Sequence, residues 1–295
     1  MRVHIAGLKG YGYICDLIVD AKRHVNGDIN AEGNDLLAKV INESRGNDDK
    51  MKIFLAGEHT VKNGNLADWS EANILESYYY ACNNKYVARL LQNMDKDRFM
   101  LDSGAATFHK GNITVDYDRY TKEYAEFVNK HNIKLFVEMD IDNQIGLKQV
   151  EKLRNVLETE TGIKPLVVWH PGRGKQYYLD MCKEYKYIGL GGITDKKARD
   201  KTKKHFLWFI SKAREQGTKI HAFGYTGMDV LKYPFDSVDS TAWLYGNRSG
   251  HLYYFDGSRI IKKAKPAGTK LKSRAVALHN FNEWVKFGKY METFK

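Results

Sequence analysis

The sequence predicts an α/β protein, a closed (β/α)8 TIM barrel forming one domain over residues 1–295. Three observations carry this expectation. Short apolar runs recur along the chain, and eight of them can be counted. Most are followed by a segment with apolar residues three and four apart, the spacing of an amphipathic helix. Strand alternating with helix implies parallel strands joined by crossover helices, and eight such units suit a closed barrel better than an open sheet.

The runs fall in order. "RVHIAG" from Arg2 opens the first βα unit, residues 1–50, and "KIFLAG" from Lys52 opens a second of similar wording. "FMLDSG" from Phe99 is the third, followed by the helical pattern "YTKEYAEFVNKHN". "KLFVEMD" from Lys134 is the fourth, followed by "LKQVEKLRNVLETET". "LVVWHP" from Leu166 precedes "QYYLDMCKEY", and "YIGLGG" from Tyr187 precedes "KHFLWFISKAREQG". "KIHAFG" from Lys219 and "FDSVDS" from Phe235 complete the set. The tyrosines of "ILESYYYACNN" are expected to pack a helix against the barrel. Residues 251–295 form a basic C-terminal extension, "GSRIIKKAKPAGTKLKSR", before a closing helix at "FNEWVKFGKYM".

Composition supports a folded chain: 43% of residues are hydrophobic and 13% aromatic, with only four prolines. The formal charge of +11, from 47 basic and 36 acidic residues, points to a polyanionic partner, nucleic acid before membrane. Clustered Lys and Arg displace condensed counterions, so the C-terminal extension is a candidate phosphate-backbone contact. Cys15, Cys82 and Cys182 lie far apart and offer neither a zinc spacing nor a disulfide framework. No signal-peptide pattern and no membrane-length apolar run occur, so a cytoplasmic location is expected.

Chemistry gathers where the runs end. The third ends in Asp102-Ser103-Gly104, the fourth in Glu138-Met139-Asp140 with Asp142 beyond. The fifth ends in Trp169-His170-Pro171, the sixth in Gly191-Gly192, the seventh in Phe223-Gly224-Tyr225 and the eighth in Asp236-Ser237-Val238-Asp239. In a parallel barrel these ends share one face, where active sites lie. Asp142 and Asp195 also suit helix N-caps. "GRGKQYY" from Gly172 lacks the P-loop spacing and suggests only a phosphate contact. Carboxylates on distant strands suit glycosidic-bond chemistry, one attacking the anomeric carbon and another moving a proton. No metal site and no cofactor are expected.

These motifs, in this order over roughly Lys52 to Tyr254, resemble the tRNA-guanine transglycosylase superfamily. The likeness is nearest to its phage and bacterial DNA-modifying branch, which inserts 7-deazaguanine bases into DNA. "LDSGAATF" is similar to the family's "DSGGFQ", which implies that Asp102 is the general acid/base, with Ser103 beside it in the substrate site. "VEMDID" implies that Asp140 binds the base edge. "VVWHPGRG" stands where the family has "VQGG", placing His170 at a base-reading glutamine. "GLGGI" resembles "GLAVGE" and implies backbone contacts from Gly191 and Gly192. "HAFGYTG" resembles "LMGVG" and implies that Phe223 covers the base. "DSVDS" resembles "DMFDC" and implies that Asp239, not Asp236, is the nucleophile.

The chain departs from the pattern in three ways. It lacks the cysteine-rich zinc site of the tRNA enzymes, it is shorter than they are, and it has His170 for glutamine. The resemblance therefore implies exchange of guanine in DNA for a free preQ0- or preQ1-type base, with no metal and no cofactor. The same exchange on tRNA, a carbohydrate-directed glycosidase and a non-catalytic nucleic-acid-binding barrel are the alternatives. A homodimer or a helper protein is left open.

Overall fold

The computed structural model describes residues 50–57, 71–108, 115–193, 196–227, 229–249, 251–264, 268 and 271–293. The first apolar run, "RVHIAG", Cys15 and Asp195 lie outside these residues. Seven parallel strands form the main sheet in the order β3-β2-β1-β7-β6-β5-β4. They are β1 (Lys52–Ala56), β2 (Asn73–Ser77), β3 (Phe99–Asp102), β4 (Val167–Trp169), β5 (Tyr187–Leu190), β6 (Lys219–Ala222) and β7 (Ser237–Ser240). Strands β1 and β7 meet at the centre, with Phe54 opposite Asp239.

Helices connect the strands. Short α1 (Tyr78–Ala81) and α2 (Lys85–Asn93) follow β2, and α3 (Ala105–Phe108) and α4 (Tyr117–Lys130) follow β3. Next come α5 (Asp142–Ile145), α6 (Leu147–Thr161) and α7 (Gly174–Glu184), then α8 (Lys196–Lys203) and α9 (Phe206–Glu215). Helix α10 (Ala242–Ser249) follows β7; a hairpin of β8 (His251–Phe255) and β9 (Ile260–Ala264) leads to α11 (Ser273–Thr293). Local chemistry sets several boundaries. Asn84 and Asp116 cap α2 and α4 by accepting the Tyr86 and Arg119 amides. Gly162, at φ 68°, ends α6 in the left-handed conformation.

The expected closed (β/α)8 barrel is not what forms. The sheet is seven-stranded and curves as a half-barrel, with β3 and β4 as its edges. The fourth apolar run, "KLFVEMD", makes no strand. It touches each edge through one isolated bridge, Leu101 to Phe136 and Val137 to Leu166. The reason is local competition for ladder partners. The Val168 amide, next in line for a carbonyl, donates instead to the Glu138 carboxylate at 2.7 Å. On the other side the Tyr124 hydroxyl lies 3.0 Å from the carbonyl oxygens of both Leu101 and Val137 and donates between them. Side chains thus take the groups that would have propagated the ladder.

A second difference is β2. The stretch around "ILESYYYACNN" supplies a strand, Asn73–Ser77, and only then the short α1. Tyr78 does pack inward, its ring 5.0 Å from those of Tyr120 and Tyr124, whereas Tyr80 is 43% exposed. Two apolar layers result. Phe54, Leu75, Met100, Val137, Leu166 and Val168 pack together on one face of the sheet. The larger layer lies between the opposite face and the helices, around Ile53, Leu101, Tyr124, Ile188 and Phe206. Among the described residues no helix is long and apolar enough to cross a membrane.

Candidate active site

Side chains alternate between the two faces along a strand. Asp102 therefore follows Met100 onto the smaller apolar face, and His170 follows Val168 onto it. At the carboxyl ends of the strands this face turns from apolar to acidic. Asp102, Asp140 and Asp239 come close enough there for their charges to interact.

Asp102 ends β3, and its carboxylate accepts the Gly104 amide at 3.0 Å. Gly104 is at φ +88°, and a Cβ there would lie 2.8 Å from Tyr79 Cβ, so only glycine places this amide. Burial first, then the Asp140 and Asp239 charges, push the Asp102 carboxyl up to about 7; the amides of Gly104 and Ser103 oppose this. Ser103 contributes through its backbone. It is fully buried, one step out of phase with Asp102, and its carbonyl accepts the Tyr120 hydroxyl of α4 at 2.7 Å.

Asp140 follows the bridged segment and faces His170, with Nε2 3.2 Å from Oδ2. Burial holds the Asp140 carboxyl above its ordinary value, against the opposing pull of His170. The imidazole in turn covers Gly191: a Cβ there would lie 2.4 Å from Cε1 and 2.7 Å from Nδ1. The bare backbone at Gly191 thus accommodates a side chain of the protein itself. Gly192 is exposed at φ +69°, and a Cβ on it would come no nearer than 3.5 Å to Nδ1 of His170.

The frame beneath Asp140 and His170 is ionic. Glu138 is fully buried and takes Arg154 Nε at 2.7 Å and an Arg173 nitrogen at 2.8 Å. Arg173 also holds Asp142 through two nitrogens, at 2.6 and 2.7 Å. Two expectations change here. Asp142 is the first residue of α5 rather than its cap, which falls on Ile141. The arginine of "GRGKQYY" is committed to two carboxylates inside the protein instead of facing a phosphate.

Asp239 sits near the end of β7 and is 9% exposed. Its Oδ1 accepts the Gly224 amide at 2.6 Å and lies 3.3 Å from Nε2 of His221. Asp236 occupies the opposite end of the strand, where it accepts the Ile220 amide at 2.7 Å and bonds the start of β6. Phe223 forms a floor: its ring lies 4.4 Å from the His221 ring and fills the space over Gly189.

The residues singled out from sequence thus gather at one end of the sheet, with Ser103 present through its backbone. Sequence reasoning passed over His221, Glu138 as an anchor, and Arg154. A signal for His221 existed: a histidine between apolar neighbours in a buried run is unusual unless it is bonded. Among the described residues, no group of three His, Cys, Asp or Glu side chains is placed to hold a metal ion. What remains is an α/β sheet presenting one raised carboxyl beside a second, partnered carboxylate. No protein-family model matches the chain, and no curated protein matches it.

Proposed function

We propose that this protein is a base-exchange transglycosylase that replaces guanine in DNA with a 7-deazaguanine base through a covalent Asp239–nucleotide intermediate. The observation carrying this reading is the pairing of two unlike carboxyl groups at one end of the sheet. Burial, then the Asp140 charge, pushes the Asp102 carboxyl up to about 7, which gives it a proton to donate at neutral pH. Asp239 is held by the Gly224 amide and faces the same end. A carboxyl that keeps its proton, set at the same end as a carboxyl held by a backbone amide and an imidazole, divides acid from nucleophile.

In this mechanism the target nucleotide is flipped out of its stack. An Asp239 oxygen attacks C1′, and the bond from C1′ to the guanine nitrogen breaks. The electron pair leaves with the base, which takes the Asp102 proton. An incoming 7-deazaguanine then gives a proton to Asp102 and displaces Asp239, so two inversions yield net retention. Asp140 and His170 are the groups nearest to read the base edge, above the Phe223 floor.

The basic surface supports a polyanionic substrate. Helix α8 begins just beyond Gly191 and Gly192 and carries Lys197 and Lys201, both exposed; exposed Lys204 follows it, on the same side. Exposed Tyr245, with Lys262 5.9 Å from its ring centre, adds an aromatic–cation pair of the type that stacks on bases.

The test is incubation of the protein with guanine-containing DNA and a panel of 7-deazaguanine bases, followed by digestion and nucleoside mass spectrometry. A modified deoxynucleoside that disappears with Asp239→Asn, while DNA binding persists, is the expected result. Product from tRNA alone would transfer the reading to the tRNA reaction. Product from neither, or exchange retained by Asp239→Asn, would overturn it.

A further inference from the structure

Behind Asp239 lies a chain of polar side chains that the exchange mechanism does not use. Tyr187 of β5 places its hydroxyl 2.5 Å from Ser237 Oγ. Ser237 Oγ is 2.6 Å from Nδ1 of His221, and Nε2 of the same ring is 3.3 Å from Asp239 Oδ1. Ser237 and His221 are fully buried.

One arrangement of protons runs unbroken along this chain. Either hydroxyl of the Tyr187–Ser237 pair can donate, and the phenol giving its proton to Ser237 Oγ is the direction that leaves the serine proton for the next member. Burial holds that phenol well above its ordinary range and keeps the proton in place. The serine proton is then free for His221 Nδ1, which accepts it. In that arrangement the ring carries its hydrogen on Nε2 and donates it to Asp239. Each donor has one acceptor and the sequence ends on the carboxylate.

The ring cannot turn easily. Phe223 packs against one part of it at 4.4 Å and Phe54 against another at 6.2 Å, both edge-on. Oδ1 of Asp239 already receives the Gly224 amide. Among the described residues Oδ2 takes no hydrogen bond.

We infer that Tyr187, Ser237 and His221 form a one-way hydrogen-bond relay that pins Oδ1 of Asp239 and leaves Oδ2 as the oxygen presented to substrate. The three act through Asp239 and are positioning residues. The catalytic meaning of the relay rests on the base-exchange reading, but its existence does not.

Two measurements separate these. The first uses the whole protein labelled with 15N-histidine and long-range 1H–15N correlation at neutral pH. The expected His221 pattern is a protonated Nε2 and an unprotonated Nδ1, with the Nε2 resonance moving in Asp239→Asn and the Nδ1 resonance moving in Tyr187→Phe. A protonated Nδ1, or a Tyr187→Phe spectrum identical at His221, would overturn the relay whatever the protein catalyses. The second follows formation of the covalent adduct in a single turnover. Tyr187→Phe and Ser237→Ala are expected to slow it about ten- to hundredfold with DNA affinity unchanged, and Ser237→Thr, which keeps the hydroxyl, is expected to restore much of the rate. Equal rates in Ser237→Ala and the parent protein would overturn the positioning role. A normal tautomer pattern in a protein that makes no adduct would leave the relay standing and count against base exchange alone.

Discussion

The imidazole of His170 occupies the space that a side chain at residue 191 would need. A Cβ on Gly191 would lie 2.4 Å from His170 Cε1 and 2.7 Å from Val168 Cγ1. Gly191→Ala should therefore displace the ring, break its 3.2 Å contact with Asp140 and destabilise the fold by about 1–3 kcal/mol. Gly192→Ala, with no contact under 3.5 Å but a φ of +69°, should cost about 1–2 kcal/mol while leaving His170 in place. Thermal unfolding and calorimetric titration with guanine distinguish them. Loss of base affinity is expected in the first variant only.

Asp102 should impose a pH dependence on stability. Its folded value of about 7 lies above its ordinary value of 3.8, so the native state holds the proton more tightly than the unfolded chain. The associated stability is complete below pH 3.8, declines as pH rises and is lost beyond about 7. Asp102→Asn removes this decline, and relative to the parent it should gain about 2–4 kcal/mol between pH 4 and pH 8. Urea unfolding across that interval is the check; parallel pH curves for the two proteins would refute the assignment.

The same group should shape the rate. Its proton-donating form falls away above pH 7 or so, and base release should slow about tenfold for each further pH unit in the parent protein. Single-turnover rates across this range, measured with DNA in excess, would show the limb. A flat profile would remove Asp102 as the donor.

Arg173 joins two carboxylates, one of them fully buried Glu138. Arg173→Met should cost about 3–5 kcal/mol, because buried Glu138 keeps only Arg154 as a cationic partner and the start of α5 at Asp142 is released. Lys183→Met, which removes an exposed partner of Asp180, should cost less than about 1 kcal/mol. Denaturant unfolding of the pair tests whether the ionic frame or general charge supports the site.

The exposed lysines near α8 predict a salt effect. Replacing Lys197, Lys201 and Lys204 together by Ala should weaken DNA binding for all sequences alike and lower the slope of log affinity against log salt by about 2–3. Binding isotherms at several salt concentrations decide it, and an unchanged slope would place the phosphate contacts elsewhere, with the basic residues beyond His251 as the next surface to test.

Much of this site was legible because strand ends are local patterns. An apolar run that closes on Asp, His or Gly marks where its strand ends, and parallel pairing carries Asp102, His170, Gly191 and Asp239 to one rim without further information. The runs beginning at Lys52, Phe99, Leu166, Tyr187, Lys219 and Phe235 all supplied strands. What the chain by itself did not determine was which backbone groups would find backbone partners. "KLFVEMD" has the wording of a strand, yet the Val168 amide bonds the Glu138 side chain and the Val137 carbonyl faces the Tyr124 hydroxyl, so the ladders on either side of it never extend beyond single bridges. Conversely "NILES" carries little apolar signal and pairs on both sides. His221 belongs to the same class: its identity was in view, but its meaning depends on Ser237 and Tyr187, from two other strands. Hydrophobic periodicity reports which face is buried. Competition among side chains for buried hydrogen-bond partners is settled only when distant segments meet, and here it decided both the openness of the sheet and the orientation of Asp239.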